Sequence, residues 1–302
     1  MKHTHRLVSL SRLCWLLGVT RQAYYKHFWA RQGISTEESL VLQQVSRLRQ
    51  DHPAMGTRKL NILLQPFLLE HQIKMGRDAL FDLLCENNLL VRKRKRSIRT
   101  TQSYHRFKKY DNLIKDWHPS KPSQLWVADI TYVPKKDGFL YLSLITDACS
   151  HLVMGYHIAT SLETCHSIKA LEMALKSHTA DRDLIHHSDR GIQYCSLEYI
   201  KLLKQNNIKI SMTQTGDPLE NPVAERINGI IKNEYLRFYH LKDEKLALDL
   251  LHNVITKYNE KRPHQSINML TPHYVHTNNL SVNKTWSKKG KPIYCKPIAG
   301  LS

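Results

Sequence analysis

The order of the apolar segments in the second half of the chain is the feature that most limits its fold. Three segments rich in Val, Ile and aromatic residues come first, at 124–134, 138–148 and 151–160. A helical pattern, a fourth apolar segment, a second helical pattern and a fifth apolar segment then follow. Three strands followed by alternating helices and strands are typical of a mixed sheet with helices on its faces. We therefore predict an α/β domain over residues 121–276, which begins with an antiparallel meander.

The fourth strand, DLIHHS at 183–188, is expected to lie parallel to the first strand and beside it. Two acids then meet, because Asp129 lies inside the first strand and Asp189 directly follows the fourth. A buried charge is costly unless it is paired or bound to a metal ion. An ordinary strand end with a tight turn is the alternative. We expect Gly191 to let the chain turn sharply beside Asp189.

A third acid, Glu225, lies in the first turn of a helix predicted over NPVAERINGIIKNEYL. Asn221 is a suitable N-cap for this helix, and Pro222 is a suitable first helical residue. Three converging carboxylates make an oxygen-rich site that suits Mg²⁺ or Mn²⁺ better than zinc. Two such ions, about 3.5–4 Å apart, can activate an attacking oxygen and stabilise the leaving one in phosphodiester chemistry.

A single acid is more often structural or solvated than catalytic. Asp147, in ITDA, and Asp217 are two further acids in comparable positions. The set of three therefore carries the metal-site hypothesis, and no one acid carries it alone.

The net charge indicates the class of partner. The chain has 45 Lys and Arg against 26 Asp and Glu, a formal net charge of +19. Such a charge favours a polyanion, most commonly nucleic acid. A basic membrane-surface protein is the alternative, but no strongly basic amphipathic helix is visible at an end, and no apolar run reaches about 18 residues. We expect DNA as the partner and no membrane.

Residues 1–32 show the pattern of two short helices separated by Gly18, with Thr20 as a suitable N-cap for the second. Helix, glycine turn and helix is the plan of a helix-turn-helix unit, whose second helix enters the major groove. An ordinary helical hairpin fits the pattern equally well. The DNA-contacting residues expected in this region are Arg21, Gln22, Tyr24 and Lys26.

Residues 37–91 predict a small helical domain, in which Pro53 ends the first helix and Thr57 is a suitable cap for the second. This domain is either a second DNA-binding unit or a spacer. A basic linker, residues 92–120, follows it. The tail, residues 277–302, is polar and basic, and we expect it to be loosely ordered.

The linker begins with eighteen residues that contain nine Lys or Arg and no acid. Such a run is usually a solvated segment. Between two regions expected to face DNA, it is expected to lie on phosphates and to add salt-dependent affinity. The residues expected to do so are Arg92, Lys93, Arg94, Lys95 and Arg96.

The six cysteines are scattered and form no C-x-x-C pair. A zinc ribbon or a redox motif is therefore not indicated. Free thiols in a chain of this length favour a reducing cytoplasm. For a basic DNA-binding protein we expect a cytoplasmic, nucleoid-associated location.

Four segments together resemble a known family: WVADITYV, HHSDRGIQY, MTQTGDPLENPVAERINGIIKNEYL and YNEKRPHQSINMLTPHYV. They are similar to the DDE integrase-like transposases of bacterial insertion sequences, in particular to the second-frame product, OrfB, of the IS-three type. The thirty-five residues between Asp189 and Glu225 match the family's spacing. The resemblance implies an RNase H-like catalytic core preceded by an all-α helix-turn-helix region.

The resemblance also implies roles for individual residues. It implies that the catalytic residues are Asp129, Asp189 and Glu225. These three carboxylates are then the ligands of two ions, either Mg²⁺ or Mn²⁺. A basic residue is expected seven positions after the glutamate, and here it is Lys232. Two helical turns place Lys232 on the face of Glu225, toward the same DNA, and Asn228 shares that face.

Two neighbours of Asp189 complete the expected site. Arg190 and His187 are expected to contact DNA phosphates or to orient the carboxylate. A purely structural role for His187 fits the sequence equally well.

The implied activity is that of a transposase. It binds the terminal inverted repeats of an insertion sequence, cleaves a strand with a metal ion, and transfers the 3′-hydroxyl end to target DNA. The implied protein partners are a homo-oligomer on DNA and a first-frame product, OrfA, separate or fused. A regulator without catalysis and a structure-specific nuclease of the same fold are the alternatives.

The sequence departs from the family pattern in two places. GDPLENP stands where the family often has GNPYDNA, and Arg226 follows the glutamate where a Ser is frequent. The zinc-binding HHCC module of retroviral integrases is absent, because His3, His5 and Cys14 do not supply its spacing. We therefore predict no zinc.

Overall fold

The computed structural model describes residues 9–30, 35–91, 106–115, 117–135, 137–178, 183–214, 220–241 and 243–281. The predictions that concern His3, His5, Arg92 to Arg96, Asp217 and residues 282–302 lie outside these ranges.

Two short helices begin the described chain, α1 (Leu10–Leu16) and α2 (Arg21–Ala30). Gly18 separates them with a φ of +65°, a left-handed conformation that glycine adopts without strain. The Thr20 Oγ1 accepts a hydrogen bond of 3.0 Å from the backbone N–H of Ala23, which confirms Thr20 as the N-cap. Both a helix-turn-helix unit and a plain hairpin have this arrangement.

The small helical domain contains α3 (Thr36–Asp51), α4 (Thr57–Glu70) and α5 (Arg77–Glu86). Their apolar faces form one core, which includes Val41, Val45, Met55, Leu60, Leu64, Leu68, Leu80, Leu83 and Leu84. The prediction that Thr57 caps the second helix was wrong. Gly56 holds the N-cap position without a side-chain bond, and Thr57 is the first helical residue.

The sheet has five strands: β1 (Leu125–Lys135), β2 (Gly138–Asp147), β3 (Val153–Ala159), β4 (Ile185–Ser188) and β5 (Lys209–Met212). Their order is β3-β2-β1-β4-β5. β2 is antiparallel to β1 and β3, and β4 is parallel to β1 and β5. The predicted meander and the predicted parallel neighbour of the first strand are both confirmed.

Helices cover both faces of the sheet. One face carries α6 (Thr164–Leu175), α7 (Ile192–Cys195) and α8 (Leu197–Gln205), which pack around Trp126 and Ile145. Ser196 caps α8, because its side chain accepts a hydrogen bond from the N–H of Tyr199.

The opposite face carries α9 (Pro222–Ile230) and α10 (Glu244–Lys261), which pack around Leu142, Leu144 and Tyr156. α9 continues into a π-helical turn, Ile231–Tyr235, and a 3₁₀ turn, Leu236–Phe238. A 3₁₀ turn at Gln265–Ile267 and the short helix α11 (Pro272–Thr277) follow α10. The sequence analysis predicted neither α7, the π-helical turn nor α11.

The end of the predicted linker lies against the edge strand β5. The Leu113 N–H donates to the Ser211 Oγ at 2.9 Å, and the Met212 N–H donates to the Asp111 carbonyl at 3.3 Å. Covering an exposed strand edge in this way prevents its pairing with another chain. Across the described ranges, no helix is both long and apolar enough to span a bilayer.

Gly155 allows β3 to pack directly against α6. A Cβ at this position would lie 2.0 Å from the Ala170 carbonyl oxygen and 2.9 Å from the Ala174 nitrogen. Both are backbone atoms, so the helix itself would have to move.

Replacing Gly155 with Ala is therefore expected to lower the free energy of unfolding by about 1–3 kcal/mol through overpacking. Urea unfolding measures this loss. Gly229→Ala is the matched control, since a Cβ there meets nothing closer than 3.9 Å. Equal destabilisation by the two substitutions would contradict the packing account.

The helical domain contacts the sheet domain through the end of α3. Asp51 forms ion pairs of 2.9 Å with Lys257 and Lys261 of α10. The His52 Nδ1 lies 2.7 Å from the Tyr235 hydroxyl. Burial lowers the pKa of His52 to about 4, so the imidazole is neutral at physiological pH.

Acid is expected to weaken this contact. The folded pKa of His52, about 4, lies below its ordinary value of 6.5. The stability that His52 contributes is therefore complete above pH 6.5 and is lost as the pH falls toward 4. We expect the loss to reach roughly 1–2 kcal/mol at about pH 5.

Urea unfolding at about pH 7 and pH 5 measures this loss. His52→Gln should show a smaller fall in stability between the two pH values than the wild type, whereas the exposed His273→Gln should match the wild type. The same fall in all three proteins would contradict the role of His52.

Candidate active site

Asp129 and Asp189 lie at the same level on neighbouring parallel strands. The register of β1 and β4 pairs Trp126 with His186 and Val127 with His187. If this register is continued by two residues, Asp129 lies opposite Asp189. Both then point to the same face of the sheet as Val127 and His187. Burial raises the pKa of Asp129, and the charge of Asp189 adds to this rise, as expected for two carboxylates that lie near each other.

Two asparagines attach α9 to the middle of β1. The Asn221 amide donates to the Ala128 carbonyl at 3.0 Å, and the Asn228 amide donates to the Asp129 Oδ2 at 2.7 Å. Glu225 lies between them in sequence, one turn before Asn228 and on the same side of the helix. The third acid is thereby brought to the other two.

These contacts correct the capping role expected of Asn221 and add a contact for Asn228. Asn221 occupies the N-cap position, but its side chain makes no capping bond and contacts β1 instead. Asn228 is only 3% exposed, and its amide contacts Asp129. The DNA contact expected of Asn228 stays a prediction, while its observed contact is with a carboxylate of the site.

Asp129 is buried beside two other carboxylates, which makes its ionised form unfavourable. Burial raises its pKa to about 7, and the charges of Asp189 and Glu225 act in the same direction. The hydrogen bond from Asn228 acts against them. A cation held between the carboxylates would relieve this repulsion, so the residues fit a divalent metal with oxygen ligands.

Gly191 leaves room for the carboxylate of Asp189. Its φ of −63° is available to any residue, so the chain makes no left-handed turn there. The Gly191 N–H donates to the Asp189 Oδ1 at 2.9 Å, and a Cβ on Gly191 would lie 2.9 Å from that oxygen. The carboxylate of Asp189 therefore occupies the space that a side chain would take.

His187 and Asp147 have structural surroundings. His187 is fully buried, its Nδ1 lies 2.9 Å from the Ser211 Oγ, and burial lowers its pKa to about 4. The geometry thus favours the structural alternative for His187. The buried Asp147 accepts from the Ser123 and Ser150 N–H groups, each at 2.7 Å, and so stabilises the turn after β2.

The other residues predicted to contact DNA lie in two places, near the three acids and on α2. Arg190 and Lys232 are half-buried next to Asp189 and after α9, respectively. On α2, Arg21 and Gln22 are exposed and Tyr24 is half-buried, while Lys26 is placed in the helix without a described side chain. Their contacts with DNA stay predictions.

The π-helical turn changes the geometry expected for Lys232. The prediction assumed two regular α-helical turns after Glu225, but the α-helix ends at Ile230. A π-helical turn is wider, so residues after Ile230 turn less about the axis per residue. Such turns are frequent at functional sites.

A buried ion pair fixes this turn to the end of α10. The guanidinium of Arg262 is fully buried and contacts both carboxylate oxygens of Glu234, with Nη2 at 2.9 Å from each and Nε at 3.0 Å from Oε2. Its Nη1 also lies 2.9 Å from the His264 Nε2. Sequence analysis quoted these residues within a family motif but assigned them no role.

Comparison with known proteins agrees with this geometry. The model of the integrase core domain matches residues 119–218, and a second model of the integrase core domain matches residues 206–272. The two matches together include all three acids and the Arg262–Glu234 pair.

Whole-chain relatives come from insertion sequences. An uncharacterized 31 kDa protein of insertion element IS600 from Shigella sonnei is 34% identical, over 86% of this chain and 96% of the relative. The IS629 transposase of Shigella sonnei is 31% identical, over 73% of this chain and 75% of the relative. The transposase InsF of IS3A from Escherichia coli K12 is 28% identical, over 90% of this chain and 96% of the relative.

The mixed five-stranded sheet is that of an RNase H-like integrase core, and the identity to these relatives extends over most of the chain. With its fold and its relatives in agreement, the chain belongs to the IS3-type DDE transposases of insertion sequences, a family of polynucleotidyl transferases.

Proposed function

We propose that this chain binds the ends of an insertion sequence, cleaves a DNA strand there and joins the freed 3′-hydroxyl to target DNA. The observation that carries the proposal is the convergence of Asp129, Asp189 and Glu225 from β1, β4 and α9, with the pKa of Asp129 raised by burial and by the other two charges. A cluster of this kind in a chain of net charge +19 suits chemistry on a phosphodiester.

The three carboxylates would hold Mg²⁺ or Mn²⁺, and we propose two ions. When bound, the ions supply positive charge to the attacking and leaving oxygens of the phosphodiester. The carboxylates keep the ions in place, and the reaction requires no covalent bond between a protein side chain and DNA. Asp129 must lose its proton to act as a ligand, which its neighbours make costly until a cation is present.

Three groups position the carboxylates. The Asn228 amide holds Asp129, the Gly191 N–H holds Asp189, and the bond from Asn221 to the Ala128 carbonyl fixes the start of α9. Ligands held by such outer contacts keep their geometry when substrate binds.

DNA binding is proposed for several parts of the chain. Residues 1–32 act as a helix-turn-helix unit that reads the terminal repeats through α2, residues 37–91 form a second helical unit, and residues 92–120 form a linker that contacts phosphates. Residues 121–276 form the catalytic core, where Arg190 and Lys232 contact the reacting strand. Residues 277–302 form the tail.

Two proteins are proposed as partners. Joining requires two element ends to be held together, so we propose a homo-oligomer assembled on DNA. A first-frame product, OrfA, separate or fused to this chain, is the second.

Labelled oligonucleotides that copy the DNA flanking the gene test the function. They are incubated with the full chain and Mg²⁺, beside scrambled oligonucleotides of the same composition. Nicked and joined strands formed only from the true ends support a transposase. Cleavage of both DNAs without joining would instead indicate a nuclease.

Specific binding with no cleavage, even after the first-frame protein is added, would indicate a regulator. Both of these outcomes would overturn the proposed function.

A further inference from the structure

Three potential metal ligands from three different elements meet at the β3 edge of the sheet. They are His157 of β3, His166 of α6 and Glu244 of α10, and each offers one ligand atom within 4.8 Å of the other two. The histidine rings lie nearly parallel, with centroids 5.3 Å apart and planes inclined by 13°. None of these residues belongs to the carboxylate site.

Both histidines keep a buried nitrogen without a hydrogen bond. His157 is 8% exposed, and its Nε2 has no partner among the described residues. The Nδ1 of His166 is in the same situation. A buried polar atom without a partner costs about 1–3 kcal/mol, so two of them on neighbouring rings call for a ligand.

Neighbouring groups orient the imidazole of His166 and favour the neutral form of His157, which is the form that binds metal ions. The other nitrogen of His166, Nε2, lies 3.1 Å from the Ser161 Oγ. A hydrogen bond on the second nitrogen is the arrangement that orients a metal-bound histidine. Burial lowers the pKa of His157, and the charges of Lys169 and His166 act in the same direction.

Glu244 is oriented toward the same place from the first turn of α10. Its Oε2 accepts from the Thr160 N–H at 3.1 Å and from the Thr160 Oγ1 at 3.2 Å. A carboxylate has a second oxygen, which remains available as a ligand. The two bonds hold this acid beside His157, which lies three residues before Thr160.

The two histidines of this cluster lie on the other face of the sheet from the catalytic acids. Asp129 is paired with Leu144, and Leu144 is paired with Tyr156. His157 is the next residue, so its side chain points to the opposite face. His157 of β3 and Asp129 of β1 are also two strands apart in the sheet order.

We propose that His157, His166 and Glu244 form a second metal site, which takes a transition-metal cation of the Zn²⁺ type. Two imidazoles and one carboxylate form a ligand set known for zinc, with water at the fourth position. Imidazole ligands select such ions over Mg²⁺. The ion would join β3, α6 and the start of α10.

This proposal replaces the expectation of no zinc. That expectation rested on the oxygen-rich carboxylate site, on the lack of a C-x-x-C pair and on the spacing of the N-terminal histidines and Cys14. The new site uses residues that are up to 87 positions apart, counted as 244 minus 157.

Zinc titration of the full chain tests the site. The protein is stripped with a chelator and titrated with Zn²⁺ against a chromophoric competitor, in excess Mg²⁺ that occupies the carboxylate site. His166→Gln and Glu244→Gln should each weaken binding by at least about 100-fold, since even loss of an outer contact costs 10–100-fold. The exposed His273→Gln should bind Zn²⁺ as the wild type does.

Two further measurements make the test specific. Bound Co²⁺ should give the intense visible absorption of a tetrahedral site in the wild type and lose it in both variants. Zn²⁺ should raise the Tm of the wild type, and not that of the variants. Unchanged Zn²⁺ affinity in His166→Gln and Glu244→Gln would overturn the proposal.

Cys165→Ser provides a second control. Glu163 and Cys165 also offer ligand atoms within 4.8 Å of a His166 ligand atom. Zinc binding that is lost in Cys165→Ser and kept in Glu244→Gln would place the ion on that exposed group and overturn the assignment.

Discussion

Replacing Asp129 with Asn is expected to remove strand cleavage while making the metal-free protein more stable. A neutral amide cannot hold a metal ion with the strength of a carboxylate, and the lost charge stabilisation of several kcal/mol corresponds to roughly 10³-fold or more in rate. Binding of element ends should be nearly unchanged. Gel analysis of nicked strands and a binding titration on the same DNA measure the two effects.

The gain in stability follows from the pKa of Asp129. The folded value of about 7 lies above the ordinary 3.8, so the folded state holds the proton more tightly. The metal-free protein therefore loses stability as the pH rises from about 4 to 7. Above pH 7, Asn at this position is expected to add roughly 1–3 kcal/mol to the free energy of unfolding.

Asp137→Asn is the matched control, because Asp137 is an exposed acid in the turn between β1 and β2. It should change neither cleavage nor stability. An Asp129→Asn protein that cleaves at the wild-type rate would remove Asp129 from the site. One that loses both activity and stability would instead indicate a structural role.

Replacing Glu234 with Gln is expected to cause the largest loss of stability, about 3–5 kcal/mol. The substitution leaves the guanidinium of Arg262 with no carboxylate, and the Arg262 side chain is only 1% exposed. A buried charge without its partner cannot recover its hydration. Because Glu234 lies in the π-helical turn after α9, the position of α9 should become less fixed as well.

A double-mutant cycle separates the pair from its surroundings. Arg262→Met combined with Glu234→Gln removes both charges and should recover much of the loss caused by Glu234→Gln alone. Urea unfolding of the four proteins gives the coupling energy. Losses that simply add would show that the two side chains do not act as a pair.

The meeting of Asp129 and Asp189 was predictable because strands obey simple rules. A parallel neighbour with a register offset of 60 residues puts Asp189 opposite Asp129, as the pairs 125–185, 126–186 and 127–187 show. Residue alternation then fixes the face. The topology that sets this register followed from the order of strands and helices along the chain.

The contacts made by individual residues were less predictable from the sequence. The roles of Gly191 and Asn228 depend on which atom approaches them from elsewhere in the fold, and neighbouring residues in the sequence do not show this. From the sequence, Gly191 was expected to permit a turn and Asn228 to contact DNA. The structure adds for each a contact with a carboxylate.

Other features depend on long-range contacts with no local pattern. Arg262 and Glu234 are 28 residues apart, and their pairing requires the end of α10 to return to the π-helical turn. The turn itself breaks the regular period on which helix prediction rests. His157, His166 and Glu244 likewise meet only because β3, α6 and α10 share one corner of the fold.

The most direct test of the account is the yield of joined strands in Mg²⁺ from oligonucleotides that copy the element ends. The wild type, Glu225→Gln and the exposed control Glu260→Gln would be compared at equal occupancy of the DNA. The account predicts metal-dependent joining by the wild type and the control, and no joining by Glu225→Gln despite unchanged binding. Joining by Glu225→Gln at the wild-type level would contradict the assignment of the three carboxylates as the metal site.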